Sequence, residues 1–303
     1  MARGVARGIP AMVLLLVACG PKAAPVSDAY RAEVERWRSQ RLAALTSEDG
    51  WLTLAGLYWL KPGENRFGAD PANEVVLHGR GVPARPGSFE LAPDGSVVAH
   101  VQPDAGVTLA GQPVPARPLH SDRDGKPDIL VVGSVRFYLI NRSGKLAVRV
   151  KDRESPVRTG FKGLAYFSIN PAYRVEGTFE PYAAPREVTV ATEQGPAQRM
   201  LVTGLVRFVL AGRALALEPF LSSPDDNEFE FVFRDATAGH ETYGAGRFLD
   251  VPVPPRGSRR VVLDFNYAYS PPCAFTPYAT CPLPPRQNEL PVRIEAGEKF
   301  GGH

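Results

Sequence analysis

Arg207-Phe208-Val209-Leu210, then Ala211-Gly212-Arg213, then Ala214-Leu215-Ala216-Leu217: two short apolar runs flank a small glycine-bearing turn. Such a stretch reads as a β-hairpin, because glycine supplies the positive φ that a tight reversal requires. The same grammar extends outward. Upstream lie Val135–Asn141, Leu146–Lys151, Tyr173–Phe179, Arg186–Thr192 and Arg199–Leu210. Downstream lie Ala214–Pro219, Glu228–Arg234, Gly246–Leu249 and Arg259–Phe265, with Gly or Pro between the runs. Thirty prolines and 29 glycines in 303 residues exclude a mainly helical protein and suit turn punctuation. The spacing predicts a large antiparallel sheet or up-and-down barrel over residues 121–303.

Residues 28–120 predict a smaller unit. Ser27 and Asp28 can cap a helix running to about Ala44, with Tyr30, Val34, Trp37 and Leu45 on the packed side. Short strands follow: Leu52 through Leu60, Glu74–Leu77, Gly87–Leu91, Val97–Val101 and Val107–Leu109, divided by turns at Lys61–Asn65, Pro93-Asp94-Gly95 and Gly111-Gln112. This order resembles the forkhead-associated β-sandwich. The phosphothreonine-reading positions of that family do not carry over. Gly68-Ala69 stands where it has Gly-Arg, and Val82-Pro83-Ala84-Arg85 replaces its serine-containing loop. The fold class expected is therefore mainly β, with a short N-terminal helix, a small sandwich-like lobe and a larger antiparallel barrel-like lobe.

Charge excludes one class of partner. The 35 basic and 32 acidic residues are dispersed, which leaves no electrostatic footprint for nucleic acid. Asp122-Arg123-Asp124-Gly125-Lys126-Pro127-Asp128 is similar to half of a calcium loop, but His120 occupies the place of a first carboxylate. A plain Asp-Gly turn before Ile129–Val132 is the simpler reading. No metal site and no cofactor are expected. A nucleophile elbow, a Walker loop, a zinc-protease helix and a dinucleotide fingerprint are all missing from the sequence.

The first residues predict an address. Arg3 and Arg7 precede the apolar run Ala11–Val17, far short of the roughly 20 residues that span a bilayer. Leu16-Val17-Ala18-Cys19 resembles the lipobox of bacterial lipoproteins. That resemblance implies a signal peptide over 1–18, lipid on Cys19 as the membrane attachment, and a tether over 19–27. An ordinary secretory signal with a chance cysteine is the alternative. Gly20 in place of Asp implies the outer membrane, facing the periplasm. In an oxidising compartment Cys273 and Cys281 are candidates for a disulfide, with free structural thiols, or a catalytic or metal-binding role, as alternatives.

The last third carries specific strings: Gly239-His240-Glu241-Thr242-Tyr243-Gly244-Ala245-Gly246-Arg247-Phe248, Asp264-Phe265-Asn266-Tyr267-Ala268-Tyr269-Ser270-Pro271-Pro272-Cys273, and Ala274 through Pro285. With Arg149-Val150-Lys151-Asp152 and Phe233-Arg234-Asp235-Ala236-Thr237, these resemble the uncharacterised bacterial family called domain of unknown function 1684. Ser270 departs from the Asn usual there. The resemblance implies kinship and no activity. Two uses of the polar residues compete. In one, Arg–carboxylate pairs pin turns at a barrel mouth under a stiff Pro/Cys flap, and the chain is a non-enzymatic ligand-binding or structural module of the envelope. In the other, Asp235 and Glu241 are catalytic carboxylates of an envelope hydrolase. Arg247, as anion clamp, and Tyr243 would then hold an anionic or hydroxylated ligand; in either use Arg149, Tyr243, Arg247, Asp264 and Asn266 are the candidates to bind a small molecule or envelope ligand. Oligomeric state is not encoded in any motif.

Overall fold

The computed structural model describes residues 25–114 and 116–301. The expected leader, Cys19 and most of the tether lie outside the described residues. Helix α1 spans Asp28–Thr46, and the Ser27 side chain accepts from the Tyr30 N–H at 3.3 Å, the expected cap. Its buried residues are Val34 and Leu45. The rest is mainly β-structure, as the turn-punctuated sequence predicts.

The first lobe contains β1 (Leu54–Trp59), β2 (Gly63–Gly68), β3 (Gly87–Leu91), β4 (Val97–Val101), β5 (Leu130–Val132), β6 (Val135–Arg142) and β7 (Lys145–Asp152). One sheet runs Val75–Val76, β2, β3, β4, Ala116–Pro118. The other runs β1, β7, β6, β5, Thr108–Leu109, Gln112–Pro113. Phe67 and Phe89 from the first sheet meet Phe137 from the second at centroid distances of 5.3 and 6.1 Å, so the two form a sandwich. Its core includes Val135, Phe137, Val148 and Val150. The sandwich thus extends beyond the expected boundary at residue 120, because β1 pairs with β7 rather than with a strand close to it in sequence.

The second lobe contains β8 (Arg174–Val190), β9 (Gln198–Leu210), β10 (Arg213–Leu217), β11 (Glu228–Phe233), β12 (Arg247–Pro252) and β13 (Arg260–Asp264). Its sheet runs β12, β11, Phe220–Leu221, β9, β8, β13, with β10 on β9. An isolated bridge, Phe248↔Tyr269, brings β12 to the chain just beyond β13, so the sheet is nearly closed and barrel-like. The two strands expected at 173–179 and 186–192 form one long strand with a register shift between Pro181 and Arg186. In the hairpin, Leu210 pairs with Arg213, which leaves only Ala211 and Gly212 in the turn. Their φ values of 51° and 74° are what a two-residue reversal of this hand requires.

Apolar alternation on β9 and β11 fills two cores. Val206, Phe208, Phe229, Phe231 and Phe233 belong to one; Met200, Val202, Phe220 and Val232 belong to the other. Helix α1 is fastened to this lobe by polar bonds: Tyr30 Oη donates to Asp264 at 2.7 Å, and Arg41 pairs with the fully buried Glu298 at 2.9 Å. Trp37 adds an edge-to-face contact with Tyr267 at 5.2 Å.

Candidate functional site

The residues singled out in the sequence divide into a closed knot and an open niche. The knot centres on Arg247, at the start of β12, which is 1% exposed. Its Nη2 donates to Asp235 at 3.1 Å and to the Ile294 carbonyl at 2.9 Å, and its Nη1 donates to the Ala296 carbonyl. Asp235 also accepts from the Ile294 N–H at 2.7 Å and the Thr237 hydroxyl at 2.8 Å. Burial pulls the Arg247 guanidinium down from its ordinary range, while Asp235 opposes that. These bonds clamp the C-terminal segment across the sheet end. Gly246 allows the approach: its φ is +100°, and a Cβ there would sit 2.5 Å from the Phe233 carbonyl oxygen.

Glu241 stands apart from this pair. It is half-buried at the surface and paired with Arg293, which holds its carboxyl below the usual range. Asp264 and Asn266 form another fastening: Asn266 donates to the Asn170 carbonyl at 2.9 Å and to the Tyr30 hydroxyl at 3.0 Å. Tyr243 donates to the Cys273 carbonyl at 3.1 Å. The structure therefore brings Asp235 to Arg247 and Asp264 to Asn266, and does not bring Asp235 and Glu241 to one set of partners. Asp122 accepts from the Asn141 N–H, Asp124 from Ser121 and Asp128 from His120, so the calcium-like loop is a turn. Among the described residues no cluster of three metal-ligating side chains occurs.

Arg149 is different. It lies on β7, whose period-two alternation sends Val148 and Val150 into the sandwich core and places Ala147, Arg149 and Lys151 on the opposite face. Tyr138 of β6 is directly across from it. Arg149 is 5% exposed, yet among the described residues no carboxylate lies within ion-pair distance. Its Nη2 lies 3.5 Å from Thr280 Oγ1, beyond the normal hydrogen-bond range; the Tyr138 hydroxyl is its other, equally uncharged partner, and its Nε has none. The Trp51 ring stacks near the guanidinium at 5.6 Å and near Lys151 Nζ at 5.9 Å. Burial depresses the affinity of both Arg149 and Lys151 for their protons. A buried cation in this condition is costly unless an anion joins it.

The flap supplies the other wall. Thr280 and Cys281 are buried beside Arg149, and Gln198 Nε2 holds the Thr280 carbonyl at 2.9 Å. Cys273 and Cys281 are both free thiols, not the expected disulfide. The Cys281 sulfur accepts from the Cys273 N–H at 3.3 Å, a hydrogen-bonded contact in place of a covalent one. Sequence reasoning named Arg149 but missed Trp51, Tyr138, Lys151 and Thr280 as its surroundings. The available signal was a pair of cations two residues apart, Arg149 and Lys151, on a strand whose centre is otherwise apolar.

Residues 159–299, which contain the barrel-like sheet, the Arg247 knot and the flap, match the family described as Protein of unknown function (DUF1684). The match covers just under half of the chain. Arg149 precedes the matched region. Among solved structures, the chain is similar to a solution NMR structure of an uncharacterized protein from Haloarcula marismortui. The two are 35% identical over 47% of this chain and 78% of that one, with a TM-score of 0.41. A comparison with curated proteins returns no match.

Proposed function

We propose that this protein is a lipid-anchored cell-envelope module, attached through Cys19 to the outer membrane and facing the periplasm, that binds a small anionic ligand at Arg149. The observation that carries the binding reading is the buried guanidinium without a carboxylate partner, flanked by Lys151 and the Trp51 ring. Folding that buries such a charge with only uncharged partners opposes stability, and a ligand carboxylate or phosphate would offset that cost with charge-assisted hydrogen bonds. A hydrolase using Asp235 and Glu241 has less support. Asp235 is spent on Arg247, Thr237 and Ile294, and Glu241 on Arg293.

Isothermal titration with inorganic phosphate, sulfate and acetate tests the binding reading. At least one anion should bind the native protein, with affinity falling as salt rises, and Arg149→Met should abolish binding. Equal binding by the variant, or binding of none of the three, would overturn it. The anchor is tested separately by fractionating cells. Cys19→Ala should release the protein from the membrane fraction, and retention there would remove the lipid from the account.

A further inference from the structure

We propose that Cys273 and Cys281 form a redox-active dithiol site, in which Cys273 attacks a low-molecular-mass disulfide and Cys281 resolves the product. The two sulfurs belong to one short segment bracketed by Pro271-Pro272 and Pro282. Cys281 is fixed: its carbonyl accepts from the Glu193 N–H at 2.9 Å, and the Leu283 N–H donates to the Ala191 carbonyl at 2.8 Å, both just beyond β8. Cys273 sits in a single helical turn held by the Ala274 N–H on the Pro271 carbonyl at 2.9 Å. Its N–H already touches the Cys281 sulfur, so closure needs only a local approach.

Exposure assigns the roles. Cys281 is 5% exposed, whereas Cys273 is half-buried and is the thiol an incoming disulfide can reach. The Cys281 hydrogen bond, reinforced by the Tyr243 hydroxyl, pushes the Cys273 thiol down toward ionisation, against its burial. The Cys273 contact and burial push Cys281 up. A lowered, accessible attacking thiol beside a buried partner is the arrangement that thiol–disulfide exchange favours.

The steps balance without another reagent. The Cys273 thiolate forms a bond to one sulfur of the external disulfide, whose S–S bond breaks and releases one thiolate. Cys281 loses its proton and attacks the Cys273 sulfur, expelling the second thiolate. The protein is oxidised by two electrons, and the external disulfide is reduced to two thiols that take up the two protons.

The exchange also reaches the anion niche, an extension that rests on the binding reading above. Thr280, whose hydroxyl lies 3.5 Å from Arg149 Nη2, immediately precedes Cys281. A bond to Cys273 would place a new constraint on the residue next to Thr280.

Incubating the reduced full-length protein with glutathione disulfide, then trapping thiols and measuring mass, tests the chemistry. The native protein should form an internal bridge that glutathione reverses. Cys281→Ser should accumulate a mixed disulfide on Cys273, and Cys273→Ser should remain unmodified under the same conditions. No bridge in the native protein, or a mixed disulfide only on Cys281, would overturn the assignment. Phosphate titration of both redox forms tests the coupling, with an expected difference of roughly five-fold or more. Equal affinity refutes the coupling. Binding by neither form refutes the anion reading and the coupling together, while the thiol result stands by itself.

Discussion

Arg149→Met should make the protein more stable. The native guanidinium is 5% exposed, and its side-chain oxygen partners are two uncharged hydroxyls, that of Tyr138 and that of Thr280 at 3.5 Å. Replacing buried ionic groups with apolar ones of similar volume is often stabilising by about 1–4 kcal/mol. The substitution forfeits the Trp51 contact at 5.6 Å, a cation–π interaction worth roughly 1 kcal/mol. The net expectation is a gain of up to about 3 kcal/mol, since methionine fills the stem volume without a charge to desolvate. For a domain of this size class, each kilocalorie moves the midpoint by about 2–4 °C. Thermal melts followed by circular dichroism, in buffer of weakly binding anions, should therefore show a rise of up to roughly 12 °C. Added phosphate should raise the native melting temperature by mass action and leave the variant unmoved. A fall in the variant's melting temperature without ligand would refute the reasoning, because Arg149 would then be a structural group with partners of its own.

Asp235→Ala should do the opposite: it strands the buried Arg247 charge, at a cost of about 3–5 kcal/mol, and urea midpoints should show that Arg247→Met restores part of the loss. Glu241→Gln at the surface pair with Arg293 should leave the midpoint near that of the native protein, and a large drop would place Glu241 in the fold's support. Glu230 lies directly across from Asp250 on β11 and β12, and burial, then the Asp250 charge, raise its carboxyl from 4.5 to about 7. Over that interval the folded state binds more protons than the unfolded one, so this group's contribution makes stability fall as pH rises from about 4.5 to 7. Urea titrations at pH 5 and pH 8 should show a smaller difference for Glu230→Gln than for the native protein. An unchanged difference would count against the pairing.

The sequence by itself determined what local chemistry determines. Period-two apolar runs with Gly and Pro between them specify strands and reversals, so the mainly β fold and the Ala211-Gly212 hairpin were legible. The Ser27 cap was legible for the same reason, since its bond spans three residues. Pairing over long separations was not. The β1–β7 register joins residues nearly a hundred positions apart, and no local pattern encodes it. That pairing moved the lobe boundary. Polar side chains were also ambiguous one at a time. Asp235, Arg247 and Arg149 look alike as isolated letters, and only the fold decided that Asp235 and Arg247 are buried against each other while Arg149 is buried without a carboxylate. Local propensity acts over a few residues, whereas the fate of a buried charge depends on which distant segment is packed against it.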